Sequence, residues 1–142
     1  MSRIAEKFIK ILAEKTEGKR GFVSGSKHMR NLFGLRNNYD CNIYYLTSSI
    51  SDRHLKGFWN FSEKQLFELK TSKSNRGFVI VFLTAPDNGY LIYSGDIDKH
   101  TKDLPIAEER YIVREDYLRT KNVHTFRTVD EFIDLLFPYQ KQ

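Results

Sequence analysis

Cysteine is all but missing from this sequence. A single thiol, Cys41, in 142 residues excludes an intramolecular disulfide and every zinc site built on two or more cysteines. The four histidines, His28, His54, His100 and His124, give it no neighbouring base, so Cys41 reads as a small apolar residue of a strand and not as a nucleophile. Long hydrophobic runs are lacking too: Phe78 to Leu83 is the longest, far short of the roughly 20 residues of a membrane helix. The opening MSRIAEKFIK mixes acids and bases at helical spacing, without the basic-then-apolar order of a signal peptide. These absences set the expectation of a soluble, cytoplasmic protein with no membrane partner. P-loop, GxGxxG, HExxH and GxSxG patterns are absent as well, which weakens the case for the common nucleotide, zinc-protease and hydrolase chemistries.

The most informative lack is local. From Gly18 to Asn38 the chain has no Asp or Glu, while it carries Lys19, Arg20, Lys27, Arg30 and Arg36. Of 23 Lys and Arg, the 18 elsewhere are matched by 18 Asp and Glu, so the formal net charge of +5 sits in this one segment. Gly18, Gly21, Gly25 and Gly34 space the cations, and Ser24, Ser26, Asn31, Asn37 and Asn38 add neutral hydrogen-bonding groups. Arg, Lys, Ser, Asn and free backbone N–H groups are the usual donors to phosphate oxygens, and Arg and Asn also read base edges. The alternative is a solvated surface loop, the common fate of charge runs. Within the segment, SKHMRNLFGL places Met29, Leu32, Phe33 and Leu35 where a short amphipathic helical turn would anchor them, presenting Lys27, His28, Arg30 and Asn31 from a fixed base.

Around this segment the hydrophobic pattern predicts an α+β domain with a mixed or mostly antiparallel β-sheet and flanking helices, spanning residues 1–142 as one unit. Ile4, Phe8, Ile11 and Leu12 mark a helix over Ser2 to Glu17. CNIYYLT, Cys41 to Thr47, and Phe58 to Phe61 read as strands. Ser62 and Gln65 form a capping box, with Phe61 and Leu66 as its hydrophobic staple, opening a helix from about Glu63 to Ser72. GFVIVFLTAPDNGYLIYSG is a hairpin turning at PDNG; its first strand is apolar on both faces and is therefore expected to be central and covered on both sides. RYIVR, Arg110 to Arg114, is a further strand, and Asp98 to Glu108 reads as a long surface connection. Thr128 and Glu131 form a second capping box for a final helix bearing Val129, Phe132, Ile133, Leu136 and Phe137, expected to stop at Pro138.

Other chemistries were weighed on their residues. In RHLKGFWNF either Phe58 or the sole tryptophan, Trp59, is a candidate for stacking on an unpaired or flipped base, since alternation in a strand lets only one of the two face out, against the commoner fate of a core aromatic. FELK, Phe67 to Lys70, matches the E-x-K of PD-(D/E)xK nucleases, with Asp40 upstream; in such an enzyme Asp40 and Glu68 would share a divalent cation such as Mg and Lys70 would handle the water. The capping box, however, puts Glu68 and Lys70 on a helix, where residues i and i+2 face apart. Asp96 and Asp98 in SGDIDKH offer a second possible cation pair in what is otherwise a common Asp and Gly turn composition.

From Gly57 onward the order of features, GFWNF, SEKQLFELK, RGFVIVFLTAPDNGYLIYSGDI, RYIVRE and TVDEFIDLL, resembles accessory and DNA-recognition domains of bacterial restriction endonucleases, and the sheet regions of degenerate PD-(D/E)xK-like proteins. The resemblance implies a target-reading domain of a restriction system, with cleavage by another catalytic domain or subunit.

The reading is thus a nucleic-acid-binding domain without cofactor or metal, its partner double-stranded DNA. Lys19, Arg20, Lys27, Arg30 and Arg36 would contact phosphate, helped by Ser24, Ser26, His28 and Asn31. Arg30, Arg36, Asn37 and Asn38 would reach base edges, and Trp59 would stack. A metal-dependent nuclease using Asp40, Glu68 and Lys70, a module binding an acidic protein partner, and an RNA binder are the competing readings.

Overall fold

The computed structural model describes residues 3–16, 22–23, 32–35, 42–48, 57–71 and 77–140. Along the chain run α1 (Arg3–Thr16), β1 (Phe22–Val23), β2 (Leu32–Leu35), β3 (Asn42–Thr47), β4 (Phe58–Ser62), α2 (Glu63–Thr71), β5 (Phe78–Ala85), β6 (Asn88–Tyr93), α3 (Ser94–Thr101), β7 (Ile106–Ala107), β8 (Arg110–Arg114), α4 (Glu115–Thr120), β9 (His124–Phe126) and α5 (Val129–Gln140). The fold is α+β. A six-stranded sheet has the order β1-β2-β3-β5-β6-β9, and a three-stranded sheet the order β4-β8-β7. Among the described residues only the β3–β5 pair is parallel, and every other pairing is antiparallel.

Strand β5 shows why the large sheet sits where it does. Side chains alternate across a strand, and here both sets are apolar. Phe78, Ile80 and Phe82 enter one core with Trp59, Phe61, Val113 and Leu118, whereas Val79, Val81 and Leu83 enter another with Phe8, Leu12, Phe126 and Phe132. The first core lies between the large sheet and a layer made of the small sheet with α2, α3 and α4; the second lies under α1 and α5. The expected two-sided cover of this strand is thus provided by helices on one face and by helices plus a second sheet on the other.

Local signals act as the sequence suggests at both capping boxes. The Gln65 N–H donates to Ser62 Oγ at 3.0 Å, and the Ser62 N–H to Gln65 Oε1 at 3.4 Å. Phe61 and Leu66, the staple pair, are both buried. At α5 the Glu131 N–H donates to Thr128 Oγ1 at 3.1 Å, while the Glu131 carboxylate reaches one residue further back, to the Arg127 N–H at 2.7 Å. The PDNG reversal closes the β5–β6 hairpin; at Gly89 a Cβ would stand 2.3 Å from the Phe82 carbonyl oxygen, so no side chain fits there.

Four expectations are corrected. Leu32 to Leu35 form a strand, not a helical turn, because β2 pairs with β1 on one side and β3 on the other; Met29 lies outside the described residues. The first part of the expected connection from Asp98 is helix α3, whose Ile97 and His100 are buried against the core. Helix α5 runs on to Gln140, since Pro138 removes one N–H donor near the helix end without halting it. Trp59 is a core residue, as described below.

One turn is strained. Glu108 and Glu109 link β7 to β8 with φ of 52° and 64°, the left-handed geometry of a two-residue hairpin turn that Asn-Gly or Gly-Gly satisfies far better. Replacing the pair by Asn-Gly is expected to raise stability by about 1 kcal/mol in urea unfolding. Phe82→Ala, which empties a fully buried site, is expected to cost about 3–5 kcal/mol, against less than about 0.5 for Phe67→Ala at a 66% exposed helix position.

Candidate nucleic-acid interface

The basic segment is tied into the fold by its short strands. Val23 pairs with Gly34 and Phe22 with Leu35, and Leu32, Phe33 and Gly34 pair in turn with Tyr44, Ile43 and Asn42. β1 is therefore an edge strand of the large sheet. The register divides the segment. The connection 24–31 is anchored at Val23, level with Gly34 and Asn42, and at Leu32, level with Tyr44 in the middle of β3, whereas the chain enters at Phe22 and leaves at Leu35, one step outside Asn42. Lys27, His28 and Arg30 belong to the first connection, with Ser24, Ser26 and Asn31; Lys19, Arg20, Arg36, Asn37 and Asn38 flank the other end. All eleven lie outside the described residues. Leu32 and Leu35, the two ends of β2, are only three residues of extended chain apart, roughly 10 Å, so the continuous run of charge in the sequence is attached at the two ends of a short strand pair.

Trp59 is not available for stacking. It is 0% exposed, its indole N–H donates to the Leu83 carbonyl at 3.1 Å, and its ring meets Phe82 and Tyr90 edge-on at 5.6 and 6.2 Å. A buried indole needs a partner for its N–H, and the β5 backbone supplies it. Gly57 is cut to this ring: a Cβ there would stand 2.2 Å from the indole.

The E-x-K residues diverge. Glu68 is half-buried toward the Tyr44 hydroxyl, whose pKa is pushed up to about 12, chiefly by burial, with Arg110 pulling it down and Glu68 adding to the rise. Lys70 is exposed and paired with Asp98 of α3. On a helix, residues two apart leave at roughly 200°, and the third member of the set, Asp40, lies outside the described residues. Asp96 and Asp98 both sit on α3, each beside a lysine: Asp96 with Lys99 at 3.6 Å and Asp98 with Lys70. Among the described residues no group of three or more His, Cys, Asp or Glu is placed to hold a metal ion.

Two polar clusters went unnoticed in the sequence. The buried Glu115 carboxylate accepts the Gly57 N–H at 3.0 Å on one oxygen, and the Tyr90 hydroxyl at 2.7 Å and an Arg119 N–H at 3.2 Å on the other. Burial alone would push its pKa up, but the Tyr90 and Gly57 hydrogen bonds and the Arg119 charge outweigh that and hold it below the usual carboxylate range. With both oxygens occupied, Glu115 is a clasp between the small sheet, α4 and β6. Beside the α3 end, a small polar cleft is lined by Asp96, Lys99, His100, Lys121, Asn122 and His124. His100 places Nδ1 2.9 Å from the Tyr117 hydroxyl, and burial, with Lys99 and Lys121 nearby, lowers its pKa and favours the neutral ring. The lysines of the cleft face carboxylates, Lys99 with Asp96 and Lys121 with Asp103, each at 3.6 Å.

Compared with known proteins, the chain matches no family model, no curated protein and no solved structure.

Because folded Glu115 gives up its proton more readily than the unfolded chain does, it stabilises the fold above the ordinary carboxylate range, and that contribution fades as the pH falls through its folded value. Glu115→Gln is expected to cost about 1–3 kcal/mol near neutral pH, with the gap to wild type narrowing below about pH 4; urea unfolding at several pH values measures it. A gap that stays constant with pH would show that the carboxylate charge contributes nothing.

Proposed function

We propose that this protein binds double-stranded DNA through the Gly18–Asn38 segment, acting as a reader and not as a cutter. The observation that carries the reading is that the segment holding the whole net charge is built onto the large sheet through the antiparallel pair β1–β2, with β1 the outermost strand among the described residues. A two-stranded ribbon fits the major groove, and strands that present cations from a sheet edge are one of the recurring ways of docking on a duplex. Anchoring to β3 supports presentation from a rigid base, which lowers the ordering cost of binding. The two attachment ends, at opposite ends of the short β1–β2 pair and roughly 10 Å apart along β2, suit two neighbouring sets of phosphate contacts.

In this reading Lys19, Arg20, Lys27, Arg30 and Arg36 hold phosphates, and Arg30, Arg36, Asn37 and Asn38 read base edges. Its place in a restriction-type system, with cleavage left to a separate domain or subunit, is part of the same proposal. The divergence of Glu68 and Lys70 on α2 favours a reader over a nuclease of the E-x-K type.

Fluorescence anisotropy of a labelled duplex across a salt series tests the reading. A log–log salt slope of roughly −3 to −5 is expected, as about four or five phosphates are neutralised. Lys27→Ala with Arg30→Ala, and separately Lys19→Ala with Arg20→Ala and Arg36→Ala, should each flatten the slope by roughly 2 to 3. Absence of duplex binding at about 50 mM salt, where basic DNA binders generally engage, would overturn the reading and turn attention to acidic protein partners; a stronger competition by RNA than by duplex DNA would reassign the ligand.

A further inference from the structure

The small sheet has an inner and an outer face, and the two are chemically opposite. Trp59, Phe61 and Val113 point inward and are 0% exposed, with Tyr111 packed against the same core. The alternate positions therefore face out: Phe58, Asn60 and Ser62 on β4, opposite Arg114, Ile112 and Arg110 on β8. No carboxylate occupies any of these six outward positions, and both arginines are exposed.

These arginines are held, not left to wander. Arg110 donates its Nε–H to Asn60 Oδ1 at 2.6 Å, which fixes the guanidinium through its inner nitrogen and leaves the terminal amino groups as donors. The Arg114 guanidinium lies over the Phe58 ring, 5.4 Å from its centroid, a cation–π placement that orients the fork without neutralising it. Lys15, Lys70, Lys99, Arg119 and Lys121 each face a carboxylate; among the described residues Arg110 and Arg114, like Arg3, Lys7, Lys10, Lys64, Lys102 and Arg127, face none, and what sets these two apart is that their guanidinium groups are held in place. A pair of exposed, oriented, charge-unsatisfied arginines on a flat strand is what a polyanion's phosphates require.

The position of this face links it to the basic segment. The Phe58 N–H donates to Ser48 Oγ at 3.0 Å, and Ser48 directly follows Thr47, the last residue of β3, three residues beyond Tyr44, which faces Leu32 of β2. Phe58 and Arg114 thus stand past the Thr47 end of β3, the end toward which the chain is heading as it leaves Val23 for the connection bearing Lys27 and Arg30.

We propose that the outer face of the β4–β8 pair is a second contact surface for the DNA backbone, with Arg110 and Arg114 holding phosphates of the duplex that the basic segment engages. This rests on the DNA reading above, and it assigns to that reading two contacts outside the acid-free segment. The arginines sit four residues apart on one strand, about 13 Å, so they hold two separate phosphates and not a single one.

Two contacts beyond those of the segment steepen the expected wild-type log–log salt slope from roughly −3 to −5 to roughly −5 to −7, and the same anisotropy measurement on Arg110→Ala/Arg114→Ala is expected to flatten it by roughly 2, about 0.9 for each phosphate released, with thermal unfolding unchanged. Arg110→Lys/Arg114→Lys should restore the slope, because the charge returns, while leaving affinity below wild type, because the oriented fork does not. Arg127→Ala, an exposed arginine in the bend before α5, is the control expected to leave the slope unaltered. If wild type binds duplex and the segment variants weaken it while the Arg110/Arg114 variant keeps the wild-type slope, this surface is excluded and the DNA reading survives. If wild type binds no duplex, both fall. Loss of slope in the alanine variant without rescue by lysine would also overturn the proposal, since it would trace the effect to local structure in place of charge.

Discussion

The structure depends on one strand being apolar on both sides. β5 lies inside the large sheet between β3 and β6, and all six residues from Phe78 to Leu83 are buried. Each buried aliphatic or aromatic side chain contributes on the order of 1.5–3 kcal/mol relative to exposure, so this strand is a large share of the folding drive in either core. Its alternation also dictates the layers: the Phe78, Ile80 and Phe82 set demands a cover, and the Val79, Val81 and Leu83 set demands another. Helices α1 and α5 meet the second demand with Phe8, Leu12, Phe132 and Leu136. The first is met by the small sheet, locked in place where the Trp59 indole takes the carbonyl of Leu83.

Features set by neighbours in sequence were readable in advance. Both capping boxes, the PDNG hairpin and the two-faced strand are decided within a few residues, and the geometry agrees. The second sheet is different in kind. Its main pairing joins Phe58 to Arg114 and Ser62 to Arg110, strands some fifty residues apart in sequence, and β-formers alone do not name their partners. Helices α3 and α4 are eight and six residues long, too short for a hydrophobic period to stand out. The LFGL stretch has apolar residues that suit either a helical turn or a strand; pairing with β3, a tertiary contact, decided for the strand.

The candidate site divides along the same line. Charge imbalance is a property of composition, so the acid-free segment was visible at once. That its cations attach at opposite ends of the short β1–β2 pair follows only from the register of β1 and β2. The alternation in RYIVR places Arg110 and Arg114 on one side of a strand, but nothing in that pentapeptide reveals that Asn60 and Phe58 stand beside them. Trp59 was the reverse case: aromatics among polar neighbours suit a stacking platform, and the tie to Leu83 shows a core residue instead.

The edge position of β1 has a consequence for how the protein behaves in a crowded solution. An edge strand offers unpaired N–H and C=O groups to any other extended chain, and charged residues around it are a common protection against edge-to-edge aggregation. Lys19 and Arg20 immediately precede β1, and Lys27 and Arg30 follow it before β2. The cations that suit this edge to a polyanion also make it repel a second copy of itself. Protection of the edge and the proposed ligand binding therefore draw on the same charges: a sequence drifting toward neutrality in this segment would lose its guard against self-association along with the charge on which the DNA-binding proposal rests.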